Sequence, residues 1–366
     1  MLYNETMISD LAKLYIPATI AFVVGILLTP IVTHYLYKNQ MWKKKAGKIA
    51  PDGRATPIFD KLHETREVGT PKMGGIIIWA SVLITIVGFW VSSKLVPFSL
   101  AKKFDFLSRS QTLIPVVTLL FGALVGLLDD YLDVKGSKDH IAGGLSFKKR
   151  ILVVALIGFC AAMWFYVKLG VSSIGLPFGH SLYLGIFFVP FFILVTAAVY
   201  SGGVIDGLDG LAGGIFAAMF SAYGGIAFAQ HQIDLAAFCA VTVGAILAFL
   251  WFNVPPARFY MSETGSMSLT ITLTIVAFMT DSLAGGYGIL VLPVIAFPLL
   301  LTSSSVILQL ISKKTRNGKK IFQIAPLHHH FEAQGWPASK VTMRYWIISI
   351  VLAALGMLLA LVGQHT

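Results

Sequence analysis

Residues Thr112 to Asp133 read TLIPVVTLLFGALVGLLDDYLD. The stretch Thr112–Leu128 is almost wholly apolar and runs straight into two adjacent carboxylates, Asp129 and Asp130. About 17 residues at ~1.5 Å each nearly cross the ~30 Å hydrocarbon layer of a bilayer. The stretch predicts a membrane-spanning helix that delivers two acids to the membrane edge. Outward from it the pattern repeats. Apolar spans are expected at Leu14–Tyr37, Gly74–Ser93, Thr112–Leu128, Ile151–Leu169, Tyr183–Val199, Leu211–Ala229, Leu235–Phe252, Leu269–Leu283, Tyr287–Leu310 and Tyr345–Val362. The eighth is short, and Gly285-Gly286 marks its boundary with the ninth.

Composition agrees. Of 366 residues, 56% are hydrophobic and 12% charged, about half the charged share of a soluble domain. Mean hydropathy is +0.79. A soluble core does not fit these numbers, and no gap between spans could hold a second domain. Residues 1–366 are read as one membrane domain, without solenoid repeats or low-complexity tracts. Cys160 and Cys239 fall inside spans and read as small hydrophobes, not as a disulfide or metal pair. The first span lacks a basic leader and a small-residue cleavage site, so it is expected to be a retained helix.

The basic residues orient the spans. The loops after spans one, three, five, seven and nine hold 22 of the 28 lysines and arginines, and the opposite side holds six. Basic loops stay cytoplasmic. Twelve of the 17 acids lie in the same loops, several at span ends. The expected fold is an all-α polytopic membrane protein of about ten transmembrane helices, both termini outside, with its active site at the cytoplasmic face. Part of the net charge of +11 is this orientation signal. The rest suits attraction of anionic lipid headgroups and a phosphorylated substrate. The basic runs Trp42-Lys43-Lys44-Lys45 and Lys313-Lys314 are short juxtamembrane clusters, which argues against nucleic acid.

Four constellations carry chemistry. Asp129 and Asp130 repel each other and lose solvation at a helix end. They make sense if a divalent cation or cationic group neutralises them, although a headgroup-solvated pair would look the same in sequence. In Tyr200–Gly214 (YSGGVIDGLDGLAGG), Asp206 and Asp209 would share a face if helical. The glycines there allow close backbone approach to a ligand; a flexible connector is the plainer alternative. After Asn253, the double proline Pro255-Pro256 sets the loop direction, and Tyr260 leads into Glu263-Thr264-Gly265-Ser266. A carboxylate beside small donors suits Mg²⁺ completed by substrate phosphates. Finally, Pro326–Glu332 (PLHHHFE) holds His328, His329 and His330. Adjacent histidines point apart, which disfavours zinc; contact with phosphate oxygens fits better, and a structural cluster stays open. Together these are parts for phosphoryl transfer, where positioning and charge neutralisation dominate.

These residues resemble the polyprenyl-phosphate N-acetylhexosamine-1-phosphate transferases, and within them the muramoyl-pentapeptide branch. The likeness runs from Gly69-Thr70-Pro71-Lys72-Met73-Gly74-Gly75 to Arg344-Tyr345-Trp346. The histidine stretch with Gly335-Trp336-Pro337 is its most specific part. The resemblance implies Mg²⁺-dependent transfer of phospho-MurNAc-pentapeptide from UDP-MurNAc-pentapeptide to undecaprenyl phosphate, releasing UMP. It implies membrane lipids as partners, leaves a homodimer open, and places the protein in the bacterial inner membrane. Asp129 and Asp130 would be the catalytic pair, with His328, His329 and His330 further catalytic positions. Glu263 would stand where the family binds Mg²⁺, with Asp129 and Asp130 beside the metal. Asp206, Asp209, Asn253, Tyr260 and Lys72 would contact substrate, Tyr260 against uracil. Asp129 or Asp130 would orient or deprotonate the acceptor rather than form a phospho-enzyme, since a phosphate monoester with a second pKa of about 6 is already largely ionised.

The chain departs from that pattern in places. Glu263 replaces an aspartate, Ser262 a glycine, Gly203 an asparagine, Lys72 a threonine, and Glu67 and Gly143 lysines. Ser262 suggests a loop reshaped around the longer acid. A related transferase with a UDP-GlcNAc donor is the neighbouring alternative, which the histidine stretch opposes. A transporter is the alternative of another class; it would place its polar groups near the midplane in repeated halves, unlike these acids.

Overall fold

The structure, a computed structural model, describes residues 2–43, 68–95, 102–108, 110–136, 144–177, 179–282 and 285–365. Helices dominate, because backbone polar groups inside a bilayer must be satisfied within their own segment. In chain order they are α1 (Leu2–Lys38), α2 (Ile76–Leu95), α3 (Leu113–Lys135), α4 (Phe147–Met163), α5 (Phe188–Ser201) and α6 (Leu211–Ala229). Then come α7 (Ile233–Asn253), α8 (Ser262–Ser282), α9 (Gly288–Ile295), α10 (Phe297–Thr315), the short α11 (Leu327–Ala333) and α12 (Ala338–His365). Among the described residues, eight helices are long and apolar enough to cross a membrane, and the α9–α10 pair makes a ninth. The protein is an all-α polytopic membrane protein.

The ninth span is broken: α9 and α10 meet at 66°. Pro298 has no N–H to donate back to Val294, and it disfavours helical backbone at Phe297. It instead starts α10, where a missing N–H costs nothing. The eighth span is a correction. It is not short: α8 has 21 residues, and every residue from 264 to 281 is buried. It is less apolar than the other spans because it carries Ser266, Ser268, Thr270, Thr272, Thr274 and Thr280. Enclosed by α2, α3, α5, α6 and α9, it presents no surface to lipid and need not be apolar. The hydroxyls of Thr270 and Thr274 donate to carbonyls one turn back, at 2.7 and 3.1 Å. Near its far end Phe278 stacks on Phe192 at 3.9 Å, anchoring α5 to α8.

The fifth span also starts later than expected. Tyr183 belongs to a two-stranded antiparallel hairpin, β1 (Ser173–Leu176) and β2 (His180–Tyr183), with Ser173 opposite Tyr183. The hairpin is fastened to the C-terminal end of α8: the Asp281 carboxylate accepts from the Gly175 and Ile289 amides, at 2.9 and 3.2 Å. Cys160 is exposed on the outer flank and Cys239 is buried.

Candidate active site

α3 and α8 lie unusually close at one end of the bundle. A Cβ on Gly126 would stand 2.2 Å from the Glu263 carbonyl oxygen, so only glycine permits the approach. That contact sets Asp129 and Asp130, one turn on, against the first turn of α8. Asp130 is fully buried. Its carboxylate accepts from the Thr264 amide at 2.8 Å, the Thr264 hydroxyl at 2.7 Å and the Glu263 amide at 3.4 Å. These are the unpaired amides of a helix N-terminus, where a negative charge is favoured.

Asp129 faces the other way. It accepts from the Leu145 amide at 2.6 Å and lies 3.2 Å from Arg150 Nε. The same guanidinium donates through Nη1 to Glu263 Oε1 at 2.6 Å, so Arg150 bridges Asp129 and Glu263. The Tyr200 hydroxyl donates to the second Glu263 oxygen at 3.4 Å. On the opposite side Lys72 donates to Asp133 and lies 3.8 Å from Asp130. Burial disfavours the Lys72 ammonium, but the carboxylates of Asp130 and Asp133 outweigh it and hold its pKa above the ordinary lysine value. Lys72 is placed by strand-like bonds of its segment: the Tyr260 amide donates to the Pro71 carbonyl, and the Gly74 amide to the Tyr260 carbonyl, both at 2.8 Å.

A second cluster adjoins the first. Asp206 and Asp209 do not share a helical face; residues 206–210 form turns between a 3-10 segment (Gly202–Ile205) and α6. Each acid ties down a different stretch. Asp206 accepts from the Ser262 amide at 2.7 Å and Asp209 from the Ala257 amide at 3.1 Å. Because Ser262 precedes Glu263, the loop is joined to the first cluster. Asn253 is a buried clamp, accepting from the Gly210 amide at 3.0 Å and donating to the Phe259 carbonyl at 2.8 Å. Between the two acids, a Cβ on Gly207 would lie 2.4 Å from His328 Nε2 and 2.7 Å from His329 Nε2. The bare Gly207 backbone is what admits both imidazoles. His329 Nδ1 pairs with Glu332 at 2.7 Å, fixing which nitrogen faces Gly207.

Two expectations of grouping change. His330 does not join its neighbours: the Gln323 amide donates to its Nδ1 at 3.2 Å, and its Nε2 lies 3.1 Å from the Gln334 amide nitrogen. Successive residues of α11 point about 100° apart, so three in a row cannot share a target. Asp129, Asp130 and Glu263 do not form a ready metal shell. Among the described residues no three His, Cys, Asp or Glu side chains surround a common point, because Arg150 sits between Asp129 and Glu263. Lys72, expected to contact substrate, stands within the carboxylate cluster, beside Asp130 and Asp133. The departures Glu67 and Gly143 lie outside the described residues, and Gly203 faces Ser266 and Thr270. Ser262 keeps φ at 56°, the left-handed region a glycine enters freely.

Arg150, Asp133 and Tyr200 went unnoticed in the sequence. Asp133 had a signal, since it follows Asp129 and Asp130 by one helical turn. Arg150 and Tyr200 had none that could be read locally.

The sequence model of glycosyl transferase family 4 matches residues 112–281. Relatives match far more of the chain. The phospho-N-acetylmuramoyl-pentapeptide-transferase of Chloroflexus aggregans is 31% identical over 98% of this chain and 92% of its own length. That of Bacillus cytotoxicus is 33% identical over 94% of this chain and 96% of its own.

Proposed function

This chain belongs to the phospho-N-acetylmuramoyl-pentapeptide-transferases, and we propose that it carries out the reaction of that name. It transfers phospho-MurNAc-pentapeptide from UDP-MurNAc-pentapeptide to undecaprenyl phosphate and releases UMP. The observation that carries the reading is a charge imbalance. Asp129, Asp130, Asp133 and Glu263 bring four carboxylates together, while Lys72 and Arg150 bring two cations. Fully ionised, these six groups keep two negative charges in excess, with Lys43 the next basic group acting on Asp133, and such an excess is costly away from water. One divalent cation balances it.

The donor set fits Mg²⁺ in kind. All four acids are hard oxygen ligands, and Mg²⁺ commonly takes one or two carboxylates together with substrate phosphates, so a complete protein cage is not needed. Asp130 has its oxygens occupied by α8, which leaves Asp129 and Glu263 to hold the metal. When bound, Mg²⁺ would neutralise the diphosphate and the charge developing on the leaving UMP. The chain's own groups do the rest. Arg150, freed in part from Glu263, is placed to contact a phosphate oxygen. Lys72 does the same from the other side. Asp129 orients the acceptor phosphate, which is already ionised at pH 7 and needs little proton removal. His328 and His329, beside the Asp206–Asp209 loop, contact the donor's phosphates, and Tyr260 covers the uracil.

The 22-to-6 division of basic residues supports a cytoplasmic site, with both termini outside a bacterial inner membrane. Purified protein, UDP-MurNAc-pentapeptide and undecaprenyl phosphate should yield UMP with Mg²⁺ and none with a chelator. Replacement of the donor by UDP-GlcNAc should stop release. UMP formation from UDP-GlcNAc alone would reassign the donor.

A further inference from the structure

The far end of α1 carries a feature that the transfer reaction leaves unused. Leu27, Ile31, His34 and Lys38 follow at spacings of four, three and four, which sets them in one row along the helix. Leu27 and Ile31 are 67% and 68% exposed. The row thus passes from a bare apolar strip to two basic side chains at the helix end. There His34 and Lys38 line a recess with Pro30, Thr33, Tyr37 and Arg258. Arg258 comes from the loop after α7, held against α1 by the Tyr37 hydroxyl, which donates to the Arg258 carbonyl at 2.9 Å.

Two observations point to an absent anion. Among the described residues no carboxylate pairs with His34, Lys38 or Arg258, whereas Lys72 and Arg150 of the catalytic cluster are both paired. In addition, the Thr33 hydroxyl is buried without a hydrogen-bond partner among the described residues. The hydroxyls of Thr19 and Thr29 on the same helix donate to carbonyls one turn back, at 2.8 and 2.7 Å. A buried hydroxyl left unpaired is costly, and a phosphate oxygen in the recess would accept from it. The C-terminal carbonyls of α1 oppose an anion, so the basic side chains must outweigh them.

We propose that this recess binds the phosphate of an anionic membrane phospholipid, with an acyl chain lying along Leu27 and Ile31. Arg258 grips the phosphate oxygens through its planar fork, Lys38 adds a point charge, and His34 and Thr33 donate hydrogen bonds. A lipid fits better than a soluble phosphate because the apolar strip leads into the recess from the membrane side. It is not the acceptor's reacting position, since none of the carboxylates borders it. The inference does not rest on the proposed transfer reaction.

The test uses full-length protein in neutral detergent and labelled phosphatidylglycerol. Unlabelled phosphatidylglycerol should displace the label saturably, and inorganic phosphate should not. Lys38→Gln and Arg258→Gln should each weaken binding about fivefold, the worth of one basic side chain near an anionic lipid surface, and the double variant should weaken it more than either alone. Arg258→Lys should recover only part of the affinity, since it restores the charge without the fork, and melting temperatures without lipid should stay unchanged. Equal binding by the double variant at an unchanged melting temperature overturns the site. So does equal displacement by inorganic phosphate, or displacement by undecaprenyl phosphate but not by phosphatidylglycerol. Should Lys38→Gln/Arg258→Gln melt early, Thr33→Val, expected to lose a smaller part of the affinity, decides in its place.

Discussion

Both ends of α8 bury aspartates near helix termini, yet they are built on opposite principles. At the C-terminal end, Asp281 accepts from two backbone amides and meets no lysine or arginine among the described residues. It joins a hairpin to a helix, and its hydrogen-bonding needs are met by the chain. About 27 Å away along the helix axis, four carboxylates crowd around two cations. Asp130 is satisfied much as Asp281 is, by amides, but among the described residues the ion-paired groups of the ensemble keep a surplus of carboxylates. A buried acid matched by backbone donors serves the fold. A surplus of acids kept together against their repulsion serves a ligand.

Substitutions can break this contrast. The largest effect is expected at Asp129. Asp129→Asn should lower turnover by about 10²-fold or more, comparable with losing one preorganised electrostatic group, at an unchanged melting temperature. UMP release at the wild-type rate would remove Asp129 from the chemistry. Asp130→Asn should also lose turnover, but it sets an amide against the donors of α8 and should cost about 1–3 kcal/mol of stability, visible as earlier melting. If both variants melt like wild type, the division between a satisfied and an unsatisfied acid is wrong.

Glu263→Gln comes next. A hard cation losing an anionic oxygen should need about tenfold or more Mg²⁺ for half-maximal rate. Superimposable Mg²⁺ titrations would mean that Glu263 serves only to hold Arg150. At the other end, Asp281→Asn should leave turnover and Mg²⁺ dependence untouched while destabilising by about 1–2 kcal/mol, measured by thermal unfolding. A changed Mg²⁺ requirement there would dissolve the contrast. The smallest effect belongs to Ser262→Gly. Relief of the left-handed backbone should gain up to about 1 kcal/mol with activity retained. A loss of stability would mean that the Ser262 side chain compensates its strain.

The amino-acid sequence reveals most of the frame. Apolar runs mark the spans, although the break in the ninth went unread. The concentration of acids and bases in alternate loops marks one end as the working one. The reading failed where burial replaces lipid. α8 is rich in serine and threonine because protein surrounds it, and a hydropathy argument assumes a lipid neighbour. The hairpin at Ser173–Tyr183 escaped notice because its short strands lie at the edge of an apolar run.

The site was legible by type but not by partnership. Asp129 and Asp130 were recognisable as acids at a helix end, Glu263 as a carboxylate beside small donors in a loop, and the glycines of Tyr200–Gly214 and the histidines as unusual composition. Nothing local indicates that Arg150 reaches both Asp129 and Glu263, or that Lys72 closes on Asp130 and Asp133. Those pairings depend on how near α3 comes to α8, which the missing side chain of Gly126 permits. Hydropathy and helical period are properties of neighbours in the chain, so the sequence by itself determined a helical membrane protein with its charges at one end. Charge neutralisation is a property of neighbours in space. Which acids pair with which cations was decided only by the packing of helices whose contacting residues lie more than a hundred positions apart.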